Sequence, residues 1–302
     1  MINMHKNMLR YLKILYGFIT FRRSYYLALI NILTPPLKRL YFCYLQYMNL
    51  CGNYLVYKSR LYLNHSTKKD DPRDTYEWFY KERYLVLKKI HQLSLKEWKE
   101  YPYSHYLYGF PYQTLGMLNI FGGRCSEERF EEYELIRYLD KNSKILDLGA
   151  NCGFMAILTS YRLGCNAVAV DLNPYSIEIG TATVDFLRLN NRVKLFACDL
   201  KMISSEIKEE FNAVFAFATH WTADGNNRID LREYLAYLAD LITTGGYIFF
   251  ESHCADINSK CFLDVIELFK SGEEFLTVEK FKTIQNGSRY FLIFKKNDMV
   301  SL

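Results

Sequence analysis

Asp147, Gly149, Asn151 and Gly153 fall at alternate positions in the run ILDLGANCGF, and Asp171 closes the next apolar run, VAVDLNP. Glycine lets backbone N–H groups come close to a ligand, and a carboxylate placed after a second strand can accept from both hydroxyls of a ribose. The expected ligand therefore carries a ribose. The run has no G-x-G-x-x-G, so a helix start shaped for a pyrophosphate is not spelled out, and a cationic, amine-bearing ligand suits Asp147 better. Downstream, Thr219-His220-Trp221 and Ser252-His253-Cys254 each follow an apolar run. Imidazole titrates near neutrality and can take a hydroxyl proton, which makes His220 and His253 the candidate bases. Their alternatives, a ring packed on the ligand or a structural hydrogen bond, stay open, and Trp221 reads as a wall of the site.

The elements that must position these residues follow from pattern. Ile145–Leu148 reads as a buried parallel strand, Phe154–Leu163 as a helix, Ala167–Val170 as a second strand and Pro174–Leu189 as a second helix. Val193–Cys198 is a third strand running into Asp199, and Ala213–Ala218 a fourth. A helix over Leu231–Leu241 leads to the break Gly245–Gly246 and a fifth strand, Tyr247–Glu251. After a helix at 260–270, Phe275–Ile284 and Arg289–Lys296 flank Gln285-Asn286-Gly287-Ser288, a hairpin signal. Upstream, Thr75–His91 and Glu127–Leu139 read as helices, the latter capped by Ser126. The fold expected is α/β: a Rossmann-like, seven-stranded, mostly parallel sheet with an antiparallel C-terminal hairpin, preceded by an N-terminal helical extension.

ILDLGANCGF followed by VAVDLNP resembles the first two motifs of class I S-adenosylmethionine-dependent methyltransferases. The resemblance implies S-adenosylmethionine as cofactor, its amino group on Asp147, its methionine part along the Gly149–Gly153 backbone and its ribose on Asp171, with Leu172 beside it. It also implies the adenine amino group on Asp199 and Leu200. Asn151 stands where a third glycine is common, a mild departure because Asn tolerates left-handed backbone angles. Arg124, just before the helix at 127, is a candidate for the cofactor carboxylate by position. The Thr219-His220-Trp221 corner is similar to that of catechol-type O-methyltransferases, with Thr219 in place of a metal-binding acid and Ser252 in place of an Asn. Thr219 and Trp221 are thus expected at the cofactor, and no metal is expected.

The chain has 302 residues, half of them apolar, enough for one catalytic domain and an extension. Residues 1–69 hold 11 Lys or Arg and no Asp or Glu, leaving 27 basic against 33 acidic residues in the rest. This basic, tyrosine-rich extension has three readings: an anionic membrane surface, an RNA clamp, or a helical segment packed on the catalytic domain. The division expected is 1–69 extension, 70–125 aromatic linker or lid, and 126–302 methyltransferase domain. Eight cysteines without a C-x-x-C pair read as buried thiols. No secretory segment is spelled out at the N-terminus, so a cytoplasmic protein is expected, peripheral to the inner membrane face on the first reading of the extension. The acceptor expected is a small molecule or glycan, with RNA second.

Overall fold

A computed structural model describes residues 76–101, 110–199, 210–221, 229–272 and 274–298. The basic extension, part of the 70–125 aromatic linker and Leu200 lie outside the described residues.

Seven strands form one sheet in the order β5-β4-β3-β6-β7-β9-β8. They are β3 Lys144–Leu148, β4 Asn166–Asp171, β5 Val193–Ala197, β6 Phe211–Phe217, β7 Ile242–Glu251, β8 Leu276–Ile284 and β9 Arg289–Lys296. Strands β3 to β7 run parallel, and β9 pairs antiparallel with both β7 and β8. A two-stranded parallel pair, β1 Gln113–Thr114 and β2 Arg124–Cys125, precedes the sheet. The helices are α1 Tyr76–Glu100, α2 Ser126–Glu132, α3 Phe154–Leu163, α4 Pro174–Leu187, α5 Leu231–Asp240 and α6 Lys260–Lys270.

Alternation along the strands divides the core between the two faces. Ile145, Ala169, Phe215, Phe249 and Ile293 pack with α1 to α4, while Leu146, Val168, Val214, Ile248 and Leu292 pack with α5 and α6. Fully burying each of these larger side chains contributes about 1.5–3 kcal/mol. The strand positions and the hairpin agree with the sequence pattern.

Five local expectations need correction. Helix α2 stops at Glu132 because Glu134 adopts a left-handed conformation (φ +54°), and a 3-10 turn, Leu135–Arg137, replaces the rest of the expected helix. Cys125, not Ser126, holds its N-cap position; Ser126 is buried within the first turn and its hydroxyl caps nothing. Helix α1 runs to Glu100, beyond His91, and buries Leu87, Ile90 and Leu93 while Leu85 faces solvent. The glycines 245 and 246 lie inside β7 at a register irregularity rather than before it. Of the cysteines described, all free, Cys152 and Cys165 are buried but Cys254 and Cys261 are exposed, since the latter two sit after β7 and on the open side of α6.

Candidate functional site

The carboxyl ends of β3, β4, β6 and β7 converge on one edge, where ligands of open parallel sheets bind. After β3 the chain makes three left-handed turns, at Gly149 (φ +60°), Asn151 (φ +53°) and Gly153 (φ +66°). Asn151 takes this angle as its residue type allows. A Cβ at residue 149 would lie 2.5 Å from Thr219 Cγ2, and one at 153 would lie 2.9 Å from Leu195 Cδ2. The loop has no room for side chains there.

Neighbouring side chains latch the loop in place. Ala150 N–H donates to Val170 O at 2.9 Å, and Asn151 N–H donates to Asp171 Oδ2 at 2.7 Å. Gln113 spans the loop: its Oε1 accepts from Phe154 N at 3.0 Å and its Nε2 donates to Ala150 O at 3.1 Å. One donor of the α3 N-terminus is therefore satisfied by the protein itself, consistent with a loop not built for a pyrophosphate. Sequence reasoning missed Gln113, because a lone Gln 41 residues before its partner gives no local signal. Replacing it with leucine leaves a buried donor and acceptor unpaired, a loss of about 1–3 kcal/mol. Gln113→Leu should weaken binding of S-adenosylhomocysteine roughly tenfold in calorimetry; unchanged affinity would show that the loop holds its shape without this residue.

Two carboxylates flank the loop. Asp147 is 2% exposed, and its Oδ2 has no partner. Burial raises its pKa to about 7, opposed by Arg129 and by a bond from the Ala156 amide. Half-buried Asp171 accepts from Asn151 N with Oδ2 and from Asn173 N with Oδ1, at 2.7 and 2.9 Å. Burial raises its pKa too, against those amide bonds and helped by the nearby Glu97 carboxylate. Next to it, Leu172 is 65% exposed, an apolar side chain at the rim. Asp199 is exposed two residues beyond the end of β5.

A second contribution absent from the sequence reading comes from α1. Glu97, buried, accepts from Asn173 Nδ2 and from Ser176 Oγ, both at 2.7 Å. Asn173 caps α4 by accepting from the amides of Tyr175 and Ser176. Helix α1 thus fixes the turn that carries Asp171.

At the end of β6, Ala218 is left-handed (φ +61°), a strained angle for alanine that turns Thr219 toward the loop. Thr219 Oγ1 shares a 2.6 Å hydrogen bond with Tyr234 OH, while its methyl faces Gly149. His220 is 2% exposed, packed among Tyr234, Trp221 and Phe250, with Nε2 3.0 Å from Asp256 Oδ2. His253 is more open. Its ring stacks on Trp221 (centroids 6.1 Å apart), and its Nδ1 accepts from Ala255 N at 3.4 Å. Partial burial and the nearby Arg289 lower its pKa.

The last feature of the edge is Glu251, at the end of β7 and 1% exposed. Arg124 was expected to reach for a cofactor carboxylate; instead it forms a fork on Glu251, Nη1 to Oε1 at 3.0 Å and Nη2 to Oε2 at 3.3 Å. Arg129 Nη2 donates to Oε2 at 3.1 Å and Arg289 Nη1 to Oε1 at 2.8 Å. Tyr133 OH and Gln285 Nε2 complete the shell. The guanidiniums hold the Glu251 carboxyl down at about 2 despite its burial. Among the described residues no group of His, Cys, Asp and Glu side chains has the arrangement of a metal site.

A parallel five-strand run, closed by an inserted antiparallel hairpin and carrying this loop after its central strand β3, decides the architecture. The fold is that of the class I S-adenosylmethionine-dependent methyltransferases. Solved structures to which the chain is similar include methyltransferases. A tRNA m1G37 methyltransferase from M. jannaschii is 18% identical, with a TM-score of 0.41 over 56% of this chain and 49% of that one. A putative SAM-dependent methyltransferase from Streptococcus mutans is 13% identical, with a TM-score of 0.47 over 59% and 50%. A SAM-dependent methyltransferase from Thiobacillus denitrificans, solved with S-adenosyl-L-homocysteine, is 16% identical, with a TM-score of 0.42 over 54% and 68%. The chain spans about half the length of the first two. No family model and no curated protein matches the sequence.

Proposed function

We propose that the protein transfers a methyl group from S-adenosylmethionine to an acceptor oxygen on a sugar, lipid-linked glycan or other small molecule. The observation that carries the cofactor half of this reading is the Asp147 Oδ2 atom, buried and without a partner beneath a loop whose glycines exclude side chains. A buried carboxylate oxygen with no donor is costly unless a ligand supplies one, and an ammonium does so with charge as well.

The residues fit the cofactor. Asp147 would take the amino group, Asp171 the ribose hydroxyls, Leu172 an apolar edge of the base, and the Gly149–Gly153 backbone the methionine chain. Asp199 and Leu200 are proposed for the adenine. When bound, the cofactor supplies an electrophilic methyl on a positively charged sulfur. Transfer then chiefly needs alignment, which the latched loop and the Trp221–His253 wall can give. His253 Nδ1 accepts from Ala255 N, and both ring nitrogens of His220 are buried without a hydrogen bond, so proton removal falls to His253 Nε2 or to solvent.

Linkage through Asp147 provides the test. In the free protein this group is about half protonated at pH 7, whereas an ammonium ligand favours its ionised form. Binding of S-adenosylhomocysteine should release roughly half a proton at pH 7, and affinity should fall about tenfold from pH 8 to pH 6. Calorimetry in buffers of different ionisation enthalpy measures both. Asp147→Asn should abolish the proton release; a ligand that fails to bind, or binds without releasing protons, counts against the reading.

The acid-free extension supports RNA as a second acceptor. RNA affinity falling steeply with salt would favour it, while flotation with anionic vesicles would favour a membrane-facing role. Among the described residues no helix is long and apolar enough to cross a membrane.

A further inference from the structure

The Glu251 cluster carries more positive charge than its own carboxylate needs. Three guanidiniums meet one carboxylate, so within this cluster the positive charges outnumber the negative by two. Arg129 is closed in, its side chain 6% exposed, and its guanidinium lies over the Phe217 ring. Its role is to neutralise Glu251. Arg124 and Arg289 differ: their side chains are 17% and 16% exposed, so part of each reaches solvent. Arg289 bonds Glu251 through Nη1 alone, and its Nε and Nη2 are neither bonded nor buried among the described residues.

The backbone fixes this presentation. Tyr290 N–H donates to Ser252 Oγ and Ser252 N–H to Tyr290 O, which ties the start of β9 to the end of β7 and places residue 289 beside residue 251. Arg289 is also near His253, whose ring stacks on Trp221 after β6. The open donors thus border the wall proposed for the acceptor. A planar guanidinium with two free parallel donors, held by a buried partner, is shaped for a carboxylate or phosphate.

We propose that the acceptor substrate carries an anionic group, a carboxylate or a phosphate, which docks on Arg289 with Arg124 beside it. This rests on the methyltransferase reading and names its substrate class.

The test uses the full-length protein saturated with S-adenosylhomocysteine and titrated with inorganic phosphate or with acetate, followed by calorimetry or by shifts in protein NMR signals. One of the two anions should bind saturably, and which one tells a phosphorylated acceptor from a carboxylic acid. Arg289→Gln should weaken that binding at least tenfold while leaving affinity for S-adenosylhomocysteine within twofold. Arg289→Lys keeps the charge and loses the fork, so it should weaken binding at least threefold; this variant decides the matter if Arg289→Gln does not fold. Three results overturn the proposal: neither anion binds, binding survives both substitutions undiminished, or the anion competes with S-adenosylhomocysteine and so occupies the cofactor's own place. If S-adenosylhomocysteine itself does not bind the unmodified protein, the methyltransferase reading fails, and the acceptor assignment with it.

Discussion

Asp171→Ala should weaken binding of S-adenosylhomocysteine at least a hundredfold while the protein keeps its fold. The carboxylate has two tasks in the structure. It holds the loop by accepting from the Asn151 amide, and it holds the β4–α4 turn by accepting from the Asn173 amide. Each oxygen retains a lone pair for a ribose hydroxyl, and hydrogen bonds to a charged group contribute about 1.5–3 kcal/mol each. Losing two of them corresponds to roughly a hundredfold or more. The fold should tolerate the change, because burial and the neighbouring Glu97 already disfavour the ionised Asp171. Calorimetry for affinity and circular dichroism for fold are sufficient. Unaltered affinity would remove Asp171 from the ribose.

Glu251→Ala should act in the opposite way, on stability first. Removing the one carboxylate strands three guanidiniums, of which Arg129 is closed off from water, together with the hydroxyl of Tyr133. Breaking a buried ion pair from one side costs about 3–5 kcal/mol. For a domain of this size that lowers the melting temperature by roughly 6–20 °C. The pH dependence has a definite sign. Glu251 titrates at about 2 in the folded protein, below the ordinary carboxylate value of 4.5, so its contribution is full above pH 4.5. It is then lost as pH falls from 4.5 through 2, and the variant should show no such loss. A melting curve of Glu251→Ala that matches the unmodified protein would mean that the arginines are satisfied by something else.

The sheet was legible because its strands are short apolar runs between glycine or polar breaks, a pattern set by burial on both faces. Asp147 and Asp171 were legible for a local reason: each sits immediately after or within such a run. Gln113, Glu97 and the Glu251 cluster were not. Gln113 and Glu97 have partners 41 and 76 residues away, those of Glu251 lie from 34 to 127 residues away, and a Gln or Glu has no local pattern that announces such a bond. Arg124 was singled out by position for a cofactor carboxylate, but its fork on Glu251 was not legible, since nothing nearby in sequence points to residue 251. The expected helix to Leu139 failed on one backbone angle at Glu134, a residue that ordinarily favours helix.

The near-contact between residue 149 and Thr219 Cγ2 has a consequence for how such a protein can drift over evolutionary time. The two positions, seventy residues apart, compete for a single methyl's worth of space, so bulk can be gained at one only if it is surrendered at the other. Because the backbone angle at 149 already restricts that position, adaptation of this corner to a new acceptor should proceed through 219 and toward smaller side chains.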